Sequence, residues 1–300
     1  MHRILSKEIL APDVVRFWIE GPHIARKRKP GQFVIVRTGE NGERIPLTIA
    51  DVDKTRGAIS IIVQGVGKST RQLNALNEGD AILDLAGPLG RATEIHPGRK
   101  VCCIGGGIGT AVVYPIACGV KALHGEVVAI IGGRTKDLVI LEQELRAAVD
   151  QVIVTTDDGS YGDKGLVTDA LKALLAEGRH FDEVVAVGPL PMMRAVVEVT
   201  RPLGIPTTVS LNPVMVDGTG MCGGCRVLVA GKSQFACVDG PEFDAHQVDF
   251  ATLAQRNTMY RDMEKQSLTT FQADPSRDLD LVRHDCKLDP QCAELKAPQT

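Results

Sequence analysis

Val101-Cys102-Cys103-Ile104-Gly105-Gly106-Gly107-Ile108-Gly109-Thr110 is the stretch on which the fold class turns. Its first four residues are small or branched and apolar, as in a buried strand, and the glycines mark a tight turn into a helix start. A strand that runs through such a turn into a helix allows close approach by the backbone of a dinucleotide. The run from Val101 to Val120 is uncharged and near bilayer-spanning length. The glycine core and Pro115 read as strand, turn and helix start, so no membrane partner is expected.

Downstream, the apolar runs Val127 to Ile131, Gln151 to Thr155 and Glu183 to Val187 alternate with segments long enough for helices. Leu138 to Val149 and Leu166 to Ala176 carry aliphatic side chains at helical spacing, and Thr207 to Ser210 adds a final strand. Residues 99–210 are therefore predicted to form a parallel α/β domain. Upstream, Val14 to Ile19, Gln32 to Val36, Ile45 to Ile49 and Ala58 to Val63 are short β-branched or aromatic segments separated by Gly, Pro and Asn turns. Residues 1–98 accordingly predict a closed or half-closed β-barrel. Residues 211–250 form a glycine-rich segment with close cysteines, and residues 251–300 a helix or arm followed by a polar, partner-binding extension or tail.

The balance of 34 Lys plus Arg against 37 Asp plus Glu, a net charge of -3, argues against nucleic acid as the main partner. Met1 to Glu8 has no apolar run of the kind that opens a secretory signal, and the eight cysteines are clustered rather than spread as a disulfide framework. A cytoplasmic location is expected. Cys286 and Cys292 lie in the polar tail and are expected to remain free.

The sharpest chemical signal is Asp217-Gly218-Thr219-Gly220-Met221-Cys222-Gly223-Gly224-Cys225, followed by Cys237. Two thiolates two residues apart can converge on one metal, and glycines let backbone N–H groups approach sulfur. Cys237 can return on a hairpin of Arg226 to Val229 and Ser233 to Ala236, turning at Gly231. A plant-type [2Fe–2S] ligand series begins with Cys five positions before the close pair, where this chain has Asp217. Asp217 is either a fourth ligand through oxygen or a cap for the glycine turn. Zinc is the alternative metal, because the same four residues could complete a tetrahedron.

Arg44-Ile45-Pro46-Leu47-Thr48-Ile49 places a cation and a hydroxyl beside an apolar strand, where they could meet a flavin's phosphate and ring. Gly65-Val66-Gly67-Lys68-Ser69-Thr70 offers a glycine turn and hydroxyls at a helix start, suited to a pyrophosphate. It ends like a nucleotide-hydrolysing P-loop but lacks that motif's leading glycine and spacing. The second α/β strand ends Ile130-Ile131-Gly132-Gly133-Arg134, without the usual acidic ribose ligand, so nucleotide contact is expected without the ordinary Rossmann pose. Thr156 to Gly162 and Gly188 to Met193 follow the third and fourth strands, where loops either bind ligands or simply reverse the chain.

Together with Gly87-Pro88-Leu89-Gly90, these motifs resemble the small, flavin-containing subunit of NADH-dependent reduced ferredoxin:NADP oxidoreductases. They are similar also to the sulfide dehydrogenase small subunit and the dihydroorotate dehydrogenase electron-transfer subunit, and the resemblance spans about residues 3–250. It implies a ferredoxin-reductase-like FAD barrel, an NAD-binding α/β domain and a small [2Fe–2S] segment. It places Arg44, Pro46, Leu47, Thr48, Gly67, Ser69 and Thr70 on FAD, with Thr48 nearest the ring as the catalytic contact. Gly107, Gly109, Thr110, Asp157, Asp158, Gly188 and Pro189 would contact NAD(H), and Asp217, Cys222, Cys225 and Cys237 would hold the cluster.

The implied activity is electron transfer between NADH, FAD and the cluster within an electron-bifurcating transhydrogenase. The implied partner is a larger subunit with another FAD and [4Fe–4S] clusters that handles ferredoxin and NADP(H). Asp217 in place of the first Cys tilts the choice away from the dihydroorotate type. The alternatives are an electron-transfer subunit for sulfide or dihydroorotate oxidation, and a nonenzymatic iron–sulfur carrier.

Overall fold

Alternation of buried and exposed side chains, reinforced by β-branched residues, organises the N-terminal third into antiparallel strands. In this computed structural model, which describes residues 1–274, they are β1 (His2–Ala11), β2 (Val14–Glu20), β3 (Phe33–Arg37), β4 (Ile45–Asp53), β5 (Ala58–Gln64), β6 (Ala81–Ile82) and β7 (Asp84–Leu89). Their order is β6-β1-β2-β5-β4-β3-β7. The outer strands β6 and β7 are consecutive in the chain, so the sheet curls into a nearly closed barrel around Phe17, Ile19, Ile49, Ile61 and Leu73. Helix α1 (Pro22–Lys27) follows β2, and α2 (Lys68–Ala75) follows β5.

The sequence reading has no strand in the first eleven residues. β1 pairs with both β2 and β6, yet Arg3, Ser6, Lys7 and Glu8 interrupt its apolar pattern. Lys7 is held by the carbonyls of Asn74 and Leu76, at 2.7 Å each, so its charge rests at the end of α2.

A second seven-stranded sheet follows. Its strands are β8 (Lys100–Gly106), β9 (Glu126–Gly133), β10 (Gln151–Thr156), β11 (Asp163–Lys164), β12 (Glu183–Val187) and β13 (Thr207–Ser210). Helices α3 (Thr110–Ala122), α4 (Glu142–Ala148), α5 (Val167–Ala176) and α6 (Leu190–Thr200) run between them. The hairpin of β14 (Arg226–Val229) and β15 (Lys232–Phe235) turns at Ala230 and Gly231, both at positive φ. β16 (Glu242–Asp244) completes the sheet in the order β11-β10-β9-β8-β12-β13-β16.

All pairings in this sheet are parallel except β13 with β16, so the expected parallel sheet is mixed at one edge. The antiparallel strand comes from beyond residue 210, and three residues are too few to carry a periodicity. The expected helix from Leu138 also starts later, at Glu142. Leu141 has φ +60°, and Ile140 and Leu141 bury against Ala50 and Ile62 of the barrel, so their apolar character reflects that contact rather than a helix.

Residues 250–273 form α7 (Phe250–Arg256) and α8 (Arg261–Ala273), which settles helix against extended arm. Cys286 and Cys292 lie outside the described residues. Among the described residues no helix is long and apolar enough to cross a membrane, and Val101 to Val120 divides between β8 and α3.

Candidate functional site

The strand order reverses direction at β8, which has β9 on one side and β12 on the other. In open α/β sheets the crevice beyond the carboxyl ends of the strands at such a point is where ligands bind. Here a cavity of about 340 Å³ opens against the barrel at that place. Pro46, Leu47 and Thr48 of β4 line one wall, and Ile108, Gly109 and Gly188 line the other. Ser210, Asn212 and Met215, at the entry to the cysteine segment, form a third. Leu253 and Asn257, in and just after α7, complete the lining.

Gly109 is required by space rather than by backbone angle. Its φ is -59°, but an added Cβ would enter the carbonyl group of Val187 and approach the Gly188 Cα to 2.9 Å. The start of α3 and the end of β12 therefore touch through a residue without a side chain. Gly107 begins the turn between β8 and α3, Thr110 is buried at the start of α3, and Pro189 precedes α6.

Asp157 and Asp158 sit apart from this cavity, two strands away after β10. Their N–H groups donate to the carbonyls of Gly133 and Arg134 at 3.1 and 3.3 Å. The Asp158 carboxylate accepts from the Ser160 N–H at 2.9 Å, and its bonds to Ser160 hold its pKa below the usual carboxylate value.

The other proposed flavin contacts lie at the start of α2. Thr70 Oγ1 accepts from the Gly67 N–H and donates to the Gly67 carbonyl, both at 3.0 Å, which closes the first turn. Ser69 Oγ donates to Glu43 Oε2 at 2.8 Å. Arg44 points elsewhere. Its Nε donates to the Val216 carbonyl at 2.8 Å, and Nη2 lies 3.5 Å from the Asp217 carbonyl.

In the cysteine segment, Cys225 and Cys237 are buried with sulfurs 3.2 Å apart, and the Cys237 N–H donates to Cys225 Sγ at 3.4 Å. Burial, together with the Cys225 contact, pushes the Cys237 thiol up to about 12. Cys222 is exposed, with its sulfur accepting from the Gly224 N–H at 3.4 Å. The Asp217 carboxylate accepts from the N–H groups of Thr219 and Cys222 at 3.0 and 2.9 Å; these bonds, Thr219 first, hold its pKa at about 2. The Asp217 carboxylate thus also accepts the bonds of a turn cap.

Among the described residues no three His, Cys, Asp or Glu side chains converge closely enough to hold a metal ion. The four donors instead stand as a buried thiol pair, a half-buried carboxylate and an exposed thiol, all within or beside one turn. Two apposed soft sulfurs with a backbone N–H on one of them fit a thiolate-bound metal, whose charge would overcome the raised thiol pKa.

Phe33, Asn212, Met215, Leu253 and Asn257 are cavity residues that sequence reading did not single out. Only Phe33 had a usable signal, since β3 and β4 form a hairpin in which it pairs with Thr48. The others arrive from distant elements.

Comparison with known proteins agrees with this geometry. Residues 212–249 match the iron-sulfur cluster binding domain of dihydroorotate dehydrogenase B. A Thermotoga maritima homolog of the electron transfer subunit of dihydroorotate dehydrogenase B (NAD(+)) is 47% identical over 271 residues, covering 90% of this chain and 95% of its own. The corresponding Geobacillus thermodenitrificans electron transfer subunit is 34% identical over 254 residues, covering 82% and 96%. A chain from a structural study of flavin-based electron bifurcation by the NADH-dependent reduced ferredoxin-NADP oxidoreductase superposes with a TM-score of 0.86 at 47% identity, covering 91% of this chain and 98% of that one.

Proposed function

This chain belongs to the family of dihydroorotate dehydrogenase B electron transfer subunits and their homologs, and from that premise we propose that it is the NAD(H)- and flavin-handling subunit of an electron-bifurcating ferredoxin:NADP oxidoreductase. The observation that carries this reading is the cavity whose walls are the β4 strand of the barrel, the glycine turn after β8 and the entry to the cysteine segment. A dinucleotide and a flavin ring can meet there, with an electron carrier close by.

Bound FAD supplies the interconversion of a hydride's two electrons with single electrons. Thr48 stands at the ring position, where its hydroxyl or backbone can hydrogen bond a ring nitrogen, while Pro46 and Leu47 cover an apolar face. Gly67, Ser69 and Thr70 at the start of α2 are suited to the phosphates, with Ser69 exchanging the Glu43 carboxylate for a phosphate oxygen. Gly107, Gly109, Thr110, Gly188 and Pro189 shape the cleft for the nicotinamide nucleotide. Asp157 and Asp158, further along the strand ends, are placed for its distal half. The cavity's largely apolar lining suits the flat face of a ring where hydride would pass.

Cys225 and Cys237 would hold a [2Fe–2S] cluster from the buried side, with Cys222 and Asp217 from the exposed side. The cluster supplies one-electron carriage out of the subunit. Ferredoxin and NADP(H) would then be handled by a larger flavin and [4Fe–4S] partner in the cytoplasm. The 47% identity to the bifurcating enzyme's chain, together with Asp217 where the ligand series otherwise begins with Cys, supports the bifurcating assembly.

The test is anaerobic purification of the native complex, quantification of FAD and iron, and optical titration with NADH. Flavin bleaching by NADH, with iron and FAD bound to this chain, is the expected result. Absence of both flavin and NADH-dependent reduction would remove the proposal's basis.

A further inference from the structure

Glu43 and Arg44 approach β4 as neighbours, and successive side chains of an extended chain point to opposite sides. Glu43 reaches Ser69 at the start of α2, whereas Arg44 reaches the carbonyls of Val216 and Asp217. The cation of the pair is thus directed at the cysteine segment and not at the hydroxyl suited to phosphate. A second contact presses the same turn against the barrel. At Gly218, φ is +78°, and an added Cβ would come within 2.7 Å of Leu89 Cδ1 on β7 and 2.8 Å of Ile35 Cγ1 on β3. These two strands flank each other beside β4, which carries Thr48.

Resting on the function proposed above, we infer that Arg44 is a positioning residue that straps the first turn of the cysteine segment to the flavin strand. Arg44 immediately precedes β4 and three residues separate it from Thr48, so the strap references the Asp217 and Cys222 side of the electron carrier to the flavin barrel. The buried pair has a wider apolar support, because Cys225 and Cys237 share a core with Val209 and Phe243 of the nucleotide sheet as well as Phe33 and Ile35 of β3. The carrier site is therefore packed between the two sheets. Arg44 is the polar tie of the Asp217 turn itself, while Arg91 ties Asp239 and Gly240 at the far end of the segment, and loss of Arg44 would let Asp217 and Cys222 drift while the buried thiols stay in place. Lys at this position keeps one charged donor but loses the fork that spans two carbonyls.

The experiment compares wild type, Arg44→Gln and Arg44→Lys as full chains. The first reading is amide hydrogen exchange at Thr219 and Cys222, whose N–H groups bond to Asp217. Loss of a charge-assisted bond predicts roughly tenfold faster exchange at these two amides in Arg44→Gln, unchanged exchange at 67–70, and partial rescue by Lys. The second reading is made after anaerobic loading: FAD content stays at the wild-type value, while the reduction potential and paramagnetic spectrum of the cluster change. Unaltered exchange in Arg44→Gln overturns the inference, as does loss of FAD with an unaltered cluster spectrum. A wild-type protein that takes up neither iron nor FAD would sink the functional proposal alone, since exchange still decides whether the strap exists.

Discussion

The glycine turn after β8 and the one between Asp217 and Cys225 look alike as strings of letters but answer to different physics. At Gly109 the backbone angle suits any residue, and the wall that forbids a side chain is backbone from Val187 and Gly188. At Gly218 the angle itself is left-handed, and the neighbours are the flexible ends of Leu89 and Ile35. The first turn abuts backbone at the end of a central strand, which cannot move without disturbing the sheet, and the second is held by side chains that can yield. A nucleotide cleft that must align a hydride gains from the first arrangement. A metal-binding turn that must close around its ligands is served by the second.

Substitution separates the two cases. Gly109→Ala forces the start of α3 away from the end of β12 and is expected to cost about 3 kcal/mol or more in urea unfolding, at the upper end of overpacking effects. The accompanying displacement of the cleft should lower NADH-dependent flavin reduction by about 100-fold, while FAD content holds. Gly218→Ala should cost about 1–2 kcal/mol, from the left-handed angle and local repacking. Its loss should fall on iron content, with NADH reduction of the flavin kept. Equal destabilisation by both, or loss of the same function in both, would break the distinction between backbone and side-chain walls.

The legibility of the molecule follows the same division between local and distant causes. Strands β4, β5, β9 and β12 were readable because β-branched runs between turn residues need no tertiary context, and the Gly231 hairpin because its turn chemistry is local. β1 was not, since half its residues are polar and its pairing is settled by β2 and β6. In the candidate site, Pro46, Leu47, Thr48, Gly109 and Gly188 were named from motifs, and the structure brings them around one cavity. Asn212, Leu253 and Asn257 reach it through packing between segments far apart in the chain, for which a single sequence carries no signal. The direction of Arg44 was equally hidden, because a cation before an apolar strand can turn to either side.

An effect confined to neutral and higher pH sharpens the comparison where the cysteine segment joins the nucleotide sheet at β16. Glu242 accepts a 2.8 Å bond from Thr93 Oγ1 and faces Gly31, whose added Cβ would come within 2.6 Å of its carboxylate. Burial, opposed by the Thr93 bond, raises its pKa from 4.5 to about 7. A folded-state pKa above the unfolded one means that the native protein binds the proton more tightly. Stability from this group is therefore full below the unfolded value and is lost as pH rises toward 7. Glu242→Gln should match wild type at low pH and exceed it above neutrality by up to about 3 kcal/mol, read from denaturant midpoints across the range. A constant difference at every pH would mean that this seam yields to the charge, as the Gly218 wall yields to a side chain.

The smallest effect is expected at the start of α7, which touches both regions. Leu253 and Asn257 line the cavity, and Arg256 Nη2 donates to the Gly224 carbonyl at 3.1 Å, beside the cysteines. The helix is capped by Asp249, whose carboxylate accepts from the Thr252 N–H at 2.9 Å and the Thr252 hydroxyl at 2.7 Å. Those bonds, the hydroxyl first, lower its pKa, so the cap stabilises above the usual carboxylate range and is lost as pH falls through the folded value. Asp249→Ala should cost about 1 kcal/mol near neutrality and progressively less in acid. Because α7 borders the cleft without forming its backbone walls, KM for NADH should rise by only a few-fold, less than the tenfold that 1.4 kcal/mol would allow, with kcat unchanged. A fall in kcat as large as that of Gly109→Ala would instead make α7 part of the fixed wall, and the rigid region would extend beyond the ends of β8 and β12.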